Sequence, residues 1–154
     1  MRQADGTEVF TYVSPGCRHL YEVEPKTLLN DFGQVWAIIY PDDRNRVNQV
    51  NHQSAQRLER FNIEFRLCTP SGGVRWVRAI SQPERQANGD VVWDGFVVDI
   101  SDRIQLEAER KLAETELRQS EQLLRLALTG AQAGSWVWDV PTGHLSWSLE
   151  TYYL

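Results

Sequence analysis

An α+β fold, with short helices gathered on one face of an antiparallel sheet and a long helix leaving it, is what this chain of 154 residues predicts. Three observations carry the prediction. Residues 61–68 read FNIEFRLC, in which Phe61, Ile63, Phe65 and Leu67 alternate with polar residues at the two-residue period of a half-buried strand. Two further β-like runs, 74–81 and 91–100, follow across turns at 69–73 and 88–90, so the three form a meander. From 101 to 128 there is neither Gly nor Pro and helix formers dominate, which makes ~40 Å of helix at about 1.5 Å per residue.

The earlier elements follow from local chemistry. Residues 8–14, EVFTYVS, are β-branched and aromatic and come just after the turn residues Asp5 and Gly6, the pattern of a strand. Pro15 and Gly16 end it. Between Pro25 and Pro41 the apolar clusters Leu28-Leu29 and 36–40 suit one or two short helices. Asp42 and Asp43, placed after Pro41, favour the partial positive charge of a helix start. Val47, Val50, Ser54 and Leu58 then recur at helical spacing as one modest apolar stripe.

Composition excludes several classes. With 42% hydrophobic and 24% charged residues, the chain is of the ordinary globular kind, and no apolar run approaches the ~18 residues of a membrane span. No membrane contact is expected of this segment. Residues 1–15 lack a basic start and apolar stretch, so a cytoplasmic location is expected, whatever the parent protein carries elsewhere. A net charge of −5 is the wrong sign for a protein that grips phosphates, so nucleic acid is not an expected partner. Cys17 and Cys68 form no CxxC or Cys/His cluster and read as free thiols.

Four stretches, FTYVSPGCRHLYEVEP at 10–25, IYPDDRNRV at 39–47, IEFRLCTPSGGVRWVRA at 63–79 and WDGFVVDISDR at 93–103, together resemble a PAS domain with its C-terminal PAC half. The resemblance is to the variety common in bacterial sensor histidine kinases, in two-component systems and in GGDEF proteins. It implies a five-stranded antiparallel sheet in the order 2-1-5-4-3, cupping helices that can enclose a small ligand. Only residues 1–4 precede the turn at Asp5-Gly6, so the first strand is expected to be missing from residues 1–100. The resemblance also gives a role to Asp99, Ile100 and Ser101, which are similar to the Asp-Ile-Thr junction where such domains hand their last strand to an output helix, with Trp76 beside them. Ser101 keeps a hydroxyl able to cap the helix, and Asp99 can hold a basic or backbone donor. A ligand pocket, if used, draws on Trp36, Ile38, Val47, Val50, Phe65 and Phe96. The implied function is a sensory or signal-relay module of a larger histidine kinase or cyclic-dinucleotide enzyme, with the output domain outside this chain.

Residues 101–130 are read as the signalling helix. Glu107 and Lys111, Glu114 and Arg118, and Glu121 and Arg125 are acid-to-base pairs at i,i+4 in the favourable orientation. The best heptad seam, Leu106, Arg110, Ala113, Leu117, Ser120, Leu124 and Ala127, has two polar members and glutamates on its flanks, so pairing through this helix alone is expected to be marginal. Residues 131–154 resemble the first two strands of a second PAS domain, in register with the first at an offset of 134 residues, as Ser14 with Ser148 and Leu20 with Leu154 show. An orphan first strand is then expected at 134–140, opening at Gly134 and closing at Val140. An unpaired strand of this kind invites a partner, so a homodimer swapped through that segment is expected.

Catalytic signatures are absent from the sequence: there is no GxSxG, Walker loop, HExxH or clustered ligand set, so neither an enzyme active site nor a metal site is expected. No cofactor is predicted. Cys17-Arg18-His19-Leu20 directly follows the first expected strand, whereas the flavin-binding NCRFLQ motif of light-sensing LOV domains follows the short helices. His52 lies ~140° from the apolar stripe of its helix, at about 100° per residue, so a haem-ligand role is not expected of it. Trp36, Trp76 and Trp93 read first as core or sheet packing. A ligand-free interaction scaffold and a flavin or haem receptor remain the competing functions.

Overall fold

The alternation at 61–68 becomes one side of a three-stranded antiparallel sheet, and four helices precede it in the computed structural model of the chain. The structure describes residues 1–3, 6–130 and 135–147, in two units, Met1–Gln105 and Leu106–Leu154. The first unit holds α1 (Cys17–Leu20), α2 (Pro25–Asn30), α3 (Gly33–Ile38) and α4 (Pro41–Arg57), then β1 (Phe61–Cys68), β2 (Val74–Arg85) and β3 (Val91–Asp99) in the sheet order β1-β2-β3. From β3 the chain enters α5 (Ser101–Gly130), none of whose residues is buried. Beyond it, β4 (Trp136–Asp139) pairs with β5 (His144–Trp147), Trp136 opposite Trp147.

Helix α4 begins as its sequence dictates, with Pro41 in the first turn beside Asp42 and Asp43. It buries Val47 and Ser54 against the sheet, but Leu58 does not continue the stripe. Leu58 takes the left-handed conformation, φ 56°, that ends the helix, and its side chain is exposed. Buried Ser54 is satisfied by donating to the Glu59 carbonyl at 2.8 Å and accepting the Trp93 indole N–H at 2.9 Å. Trp93→Phe should therefore cost about 1 kcal/mol in urea denaturation; an unchanged midpoint would show that the indole contributes only packing.

The core lies between the helices and one sheet face, where Ile39, Val47, Ile63, Phe65, Leu67, Val77 and Ala79 form one buried cluster. Register fixes the faces. Phe65, Val77 and Asp99 stand in one row across the sheet, whereas Asn62, Ile80 and Phe96 stand in another that points to the opposite side.

Of the four strands expected once the first is left out, the described residues give three here, and 8–14 is not one of them. What remains of the first two strands is a pair of isolated bridges, Arg2 to Glu8 and Arg2 to Val91. The order Glu8, Arg2, β3, β2, β1 is the expected 2-1-5-4-3 order reduced to single residues at its first two places. The physical reason is that a strand needs a neighbour along its length. Arg2 supplies that neighbour for one residue only.

The two edges of the sheet are therefore unlike. Along β1 the edge is closed: the Tyr40 N–H donates to the Arg66 carbonyl at 2.9 Å, the Asp43 carboxylate accepts the Arg66 amide at 2.8 Å, and Arg46 donates to the Glu64 carbonyl at 2.8 Å. Along β3, Arg2 and Val91 exchange two backbone hydrogen bonds, of 2.8 and 2.9 Å, and no other described segment bridges that edge. Because both polar groups of Val91 face outward, those of residues 93, 95, 97 and 99 do the same.

Candidate functional site

The chain's exit from the sheet is stitched at three points. The Ile100 N–H donates to the Trp76 carbonyl at 2.8 Å, the Ser101 hydroxyl accepts the Trp76 N–H at 3.0 Å, and Asp99 Oδ1 accepts the Ser101 N–H at 2.8 Å. The hydroxyl of Ser101 thus reaches back to β2 instead of capping its own helix, and the carboxylate of Asp99 takes the free amide at the helix start. The first turn of α5 is held to the central strand of the sheet. Arg103 adds an ion pair of 2.9 Å to Glu64 on β1.

Arg75 extends this junction to the helical side. One guanidinium nitrogen stands 3.9 Å from Asp99 Oδ2 and donates to the His19 carbonyl, and the other donates to Glu22 Oε1 at 3.1 Å. Glu22 itself sits at φ 55° and accepts hydrogen bonds of 3.0 Å from the Ser71 amide and hydroxyl. Those bonds, with Arg75 as a smaller contribution, hold its carboxyl below the usual carboxylate range. Sequence reading missed both Arg75 and Glu22. The available signal was the alternation Arg75, Val77, Ala79, which places a guanidinium on the buried face of a strand and so requires partners there.

Beside the junction lies a cavity of about 610 Å³ between the segment 10–21 and the β3 side of the sheet; Phe10, Tyr21, Leu28, Phe61, Trp93 and Val97 line it. Burial pushes the Tyr21 phenol up to about 12, so it stays a neutral group. The residues expected to form a pocket are placed elsewhere. Val47 and Phe65 are buried in the core cluster, and Trp36, Ile38 and Val50 pack against it, so these five fill space instead of enclosing it. Phe96 is not with them: it lies on the opposite face from Phe65, 58% exposed, at the margin of the cavity. His52 is exposed, with Nδ1 2.9 Å from the Asn48 carbonyl. Among the described residues no group of three His, Cys, Asp or Glu side chains could hold a metal ion, and no helix is long and apolar enough to cross a membrane.

A meander with helices on one face, whose last strand is bonded into an outgoing helix, defines the class of small α+β sensor domains. The chain belongs to the PAS fold family, whose model PAS_3 matches residues 10–97. An uncharacterized protein of Sinorhizobium fredii, y4lL, is 36% identical over 87 residues, which are 55% of this chain and 10% of that protein. A blue-light-activated histidine kinase of Brucella ovis is 29% identical over 104 residues, 68% of this chain and 20% of the kinase. The chain thus spans a tenth to a fifth of the length of these relatives. Among solved structures, a sensory box histidine kinase/response regulator from Burkholderia thailandensis superposes with a TM-score of 0.56 at 27% identity, covering 70% of this chain and 81% of that one. The N-terminal domain of a diguanylate cyclase with PAS/PAC sensor from Marinobacter aquaeolei shares the fold at TM-score 0.56 and 20% identity, over 62% and 87% of the two chains. The chain is a PAS sensor domain resembling those of histidine kinases.

Proposed function

We propose that this chain is a non-catalytic relay segment of a larger cytoplasmic signalling protein, in which the sheet passes a conformational change to α5 and onward to an output domain of the histidine kinase or cyclic-dinucleotide class. The observation that carries the reading is the pair of hydrogen bonds by which Trp76 accepts from the Ile100 amide and donates to the Ser101 hydroxyl, tightened by Asp99. A shift of β2 then moves the helix start, and Arg75 lets the α1–α2 connection bias the same point. In this reading residues 101–130 are the signalling helix, 131–154 begin a second PAS domain, and two copies act together as a homodimer. No cofactor is assigned. A second reading, an interaction scaffold that senses no ligand, is supported by the packing of Trp36, Ile38, Val47, Val50 and Phe65 into or against the core.

The test is amide hydrogen exchange on the whole chain. In Asp99→Ala, exchange across residues 101–105 should rise about fivefold, the equivalent of about 1 kcal/mol for the lost hydrogen bond, while the protection of β1 and β2 stays as it was. Unaltered exchange at the helix start would remove Asp99 from the relay.

A further inference from the structure

Of the segment 134–140, expected as an orphan strand, Trp136–Asp139 is paired with β5 and Gly134 lies outside the described residues. The feature without a role is nearer the sheet. Glu22 is not a glycine, yet its backbone stands at φ 55°, a left-handed conformation in which its Cβ is crowded. Two residues tie the stretch 15–24 to the sheet. Glu22 accepts from the Ser71 amide and hydroxyl in the β1–β2 turn, each at 3.0 Å, and from Arg75 at 3.1 Å, while the His19 carbonyl also accepts from Arg75. Within itself the stretch is stapled. Arg18 donates to both oxygens of Glu24 at 2.9 Å, the Cys17 thiol to the Val23 carbonyl at 3.3 Å, and the Tyr21 amide to the Cys17 carbonyl at 2.8 Å. Bounded by Pro15 and Pro25, it is built to move as one piece once its ties to the sheet let go.

This piece is also part of the cavity wall: Gly16, Cys17, Leu20 and Tyr21 line the cavity together with Arg75 and Asp99. Arg75 Nη2 is bonded to Glu22, whereas Nη1 is 3.9 Å from Asp99 Oδ2, beyond hydrogen-bond length. Two carboxylates stand at one guanidinium, and Glu22 holds it. We propose that residues 15–24 are a latched cover over the cavity, that Glu22 is the latch, and that opening transfers Arg75 from Glu22 to Asp99. The bonds of the Glu22 carboxylate hold a backbone conformation that the residue by itself disfavours, so their loss opens the cover. An apolar occupant of the cavity pressing on Leu20 and Tyr21 favours the same open state. Once bonded to Asp99 Oδ2, the guanidinium fixes that carboxylate on the Ser101 amide, and the first turn of α5 is firmer open than closed.

The proposal supplies the input step of the relay and rests on that reading. Its test uses the whole chain and the alkylation of Cys17 by an uncharged reagent, read at that residue by peptide mass, because the thiol lies inside the cover at 5% exposure. In Glu22→Ala the labelling should rise at least about fivefold, as the loss of one hydrogen bond corresponds to. In Glu22→Gly the rise should be smaller, since glycine adopts φ 55° without strain. Amide exchange across 101–105 should slow about twofold in Glu22→Ala, and the slowing should vanish when Arg75→Met is added. General loosening of the fold speeds exchange, so it cannot imitate this result. Unchanged Cys17 labelling in Glu22→Ala overturns the latch, and equal rises in the glycine and alanine variants overturn the strain behind it. Exchange across 101–105 that is unchanged or faster overturns the transfer of Arg75. None of these outcomes bears on Asp99→Ala, which judges the relay by itself. If circular dichroism shows Glu22→Ala unfolded, Ser71→Ala, which removes one bond of the latch, decides by the same two readouts.

Discussion

Asp43→Ala should lower the stability of the first unit by about 2 kcal/mol, less than the range for a fully buried ion pair because the Arg66 side chain is partly exposed. Asp43 is nearly buried at the start of α4, and its two oxygens accept from Arg66: Oδ2 from Nε at 3.0 Å and from the backbone amide at 2.8 Å, Oδ1 from Nη2 at 3.0 Å. Arg66 is in turn stacked on Tyr40, its Cζ 4.0 Å from the ring centroid. Alanine leaves a guanidinium and a strand amide without their acceptor and opens the closed edge of β1. The pH dependence gives a second signature. Hydrogen bonds from the Arg66 side chain, the largest influence on the group, hold the Asp43 carboxyl below its ordinary range despite burial. Its contribution to stability is therefore complete above the unfolded-state value near ~3.9 and is lost as pH falls through the lower folded value. Asp43→Asn should be less stable at neutral pH and flatter below about pH 4. Urea denaturation across pH measures both. Parallel curves for the two proteins would show that the carboxylate charge is not what Arg66 requires.

Gly95→Ala should be comparably damaging, at about 3 kcal/mol, although it adds only a methyl group. A Cβ at Gly95 would collide with the Ile80 carbonyl and with the backbone and Cβ of Ser81, the residue paired with it across the β2–β3 ladder. These are backbone neighbours with no rotamer to give, so β3 must lift away from β2. The expected observation is a lower melting temperature with faster amide exchange in both strands. A melting temperature within a degree or so of the parent would mean that β3 relaxes freely at this point.

The same glycine shows why part of the fold was hidden in the sequence. β1 was legible because Phe61, Ile63, Phe65 and Leu67 alternate cleanly, and the start of α4 was legible because Pro41, Asp42 and Asp43 act through local backbone chemistry. In β3, Val91, Val92 and Trp93, then Phe96, Val97 and Val98, are apolar on both faces, with a residue lacking a side chain between them. Periodicity cannot choose a face for such a strand, which is why Phe96, expected beside Phe65, stands on the opposite face. The segment 8–14 has strand composition, yet being a strand is a relation between neighbours that composition does not contain. At the site, Asp99, Ile100 and Ser101 could be found as a triplet. The alternation marks Arg75 as a guanidinium on the buried face, but its partner Glu22 is not legible, because 53 residues separate them and only the fold brings them together.

The unlike edges of the sheet make it a polar object in one dimension. Growth past β1 is barred by the backbone and side-chain bonds of Tyr40, Asp43 and Arg46, so this sheet can accept a strand from one direction only.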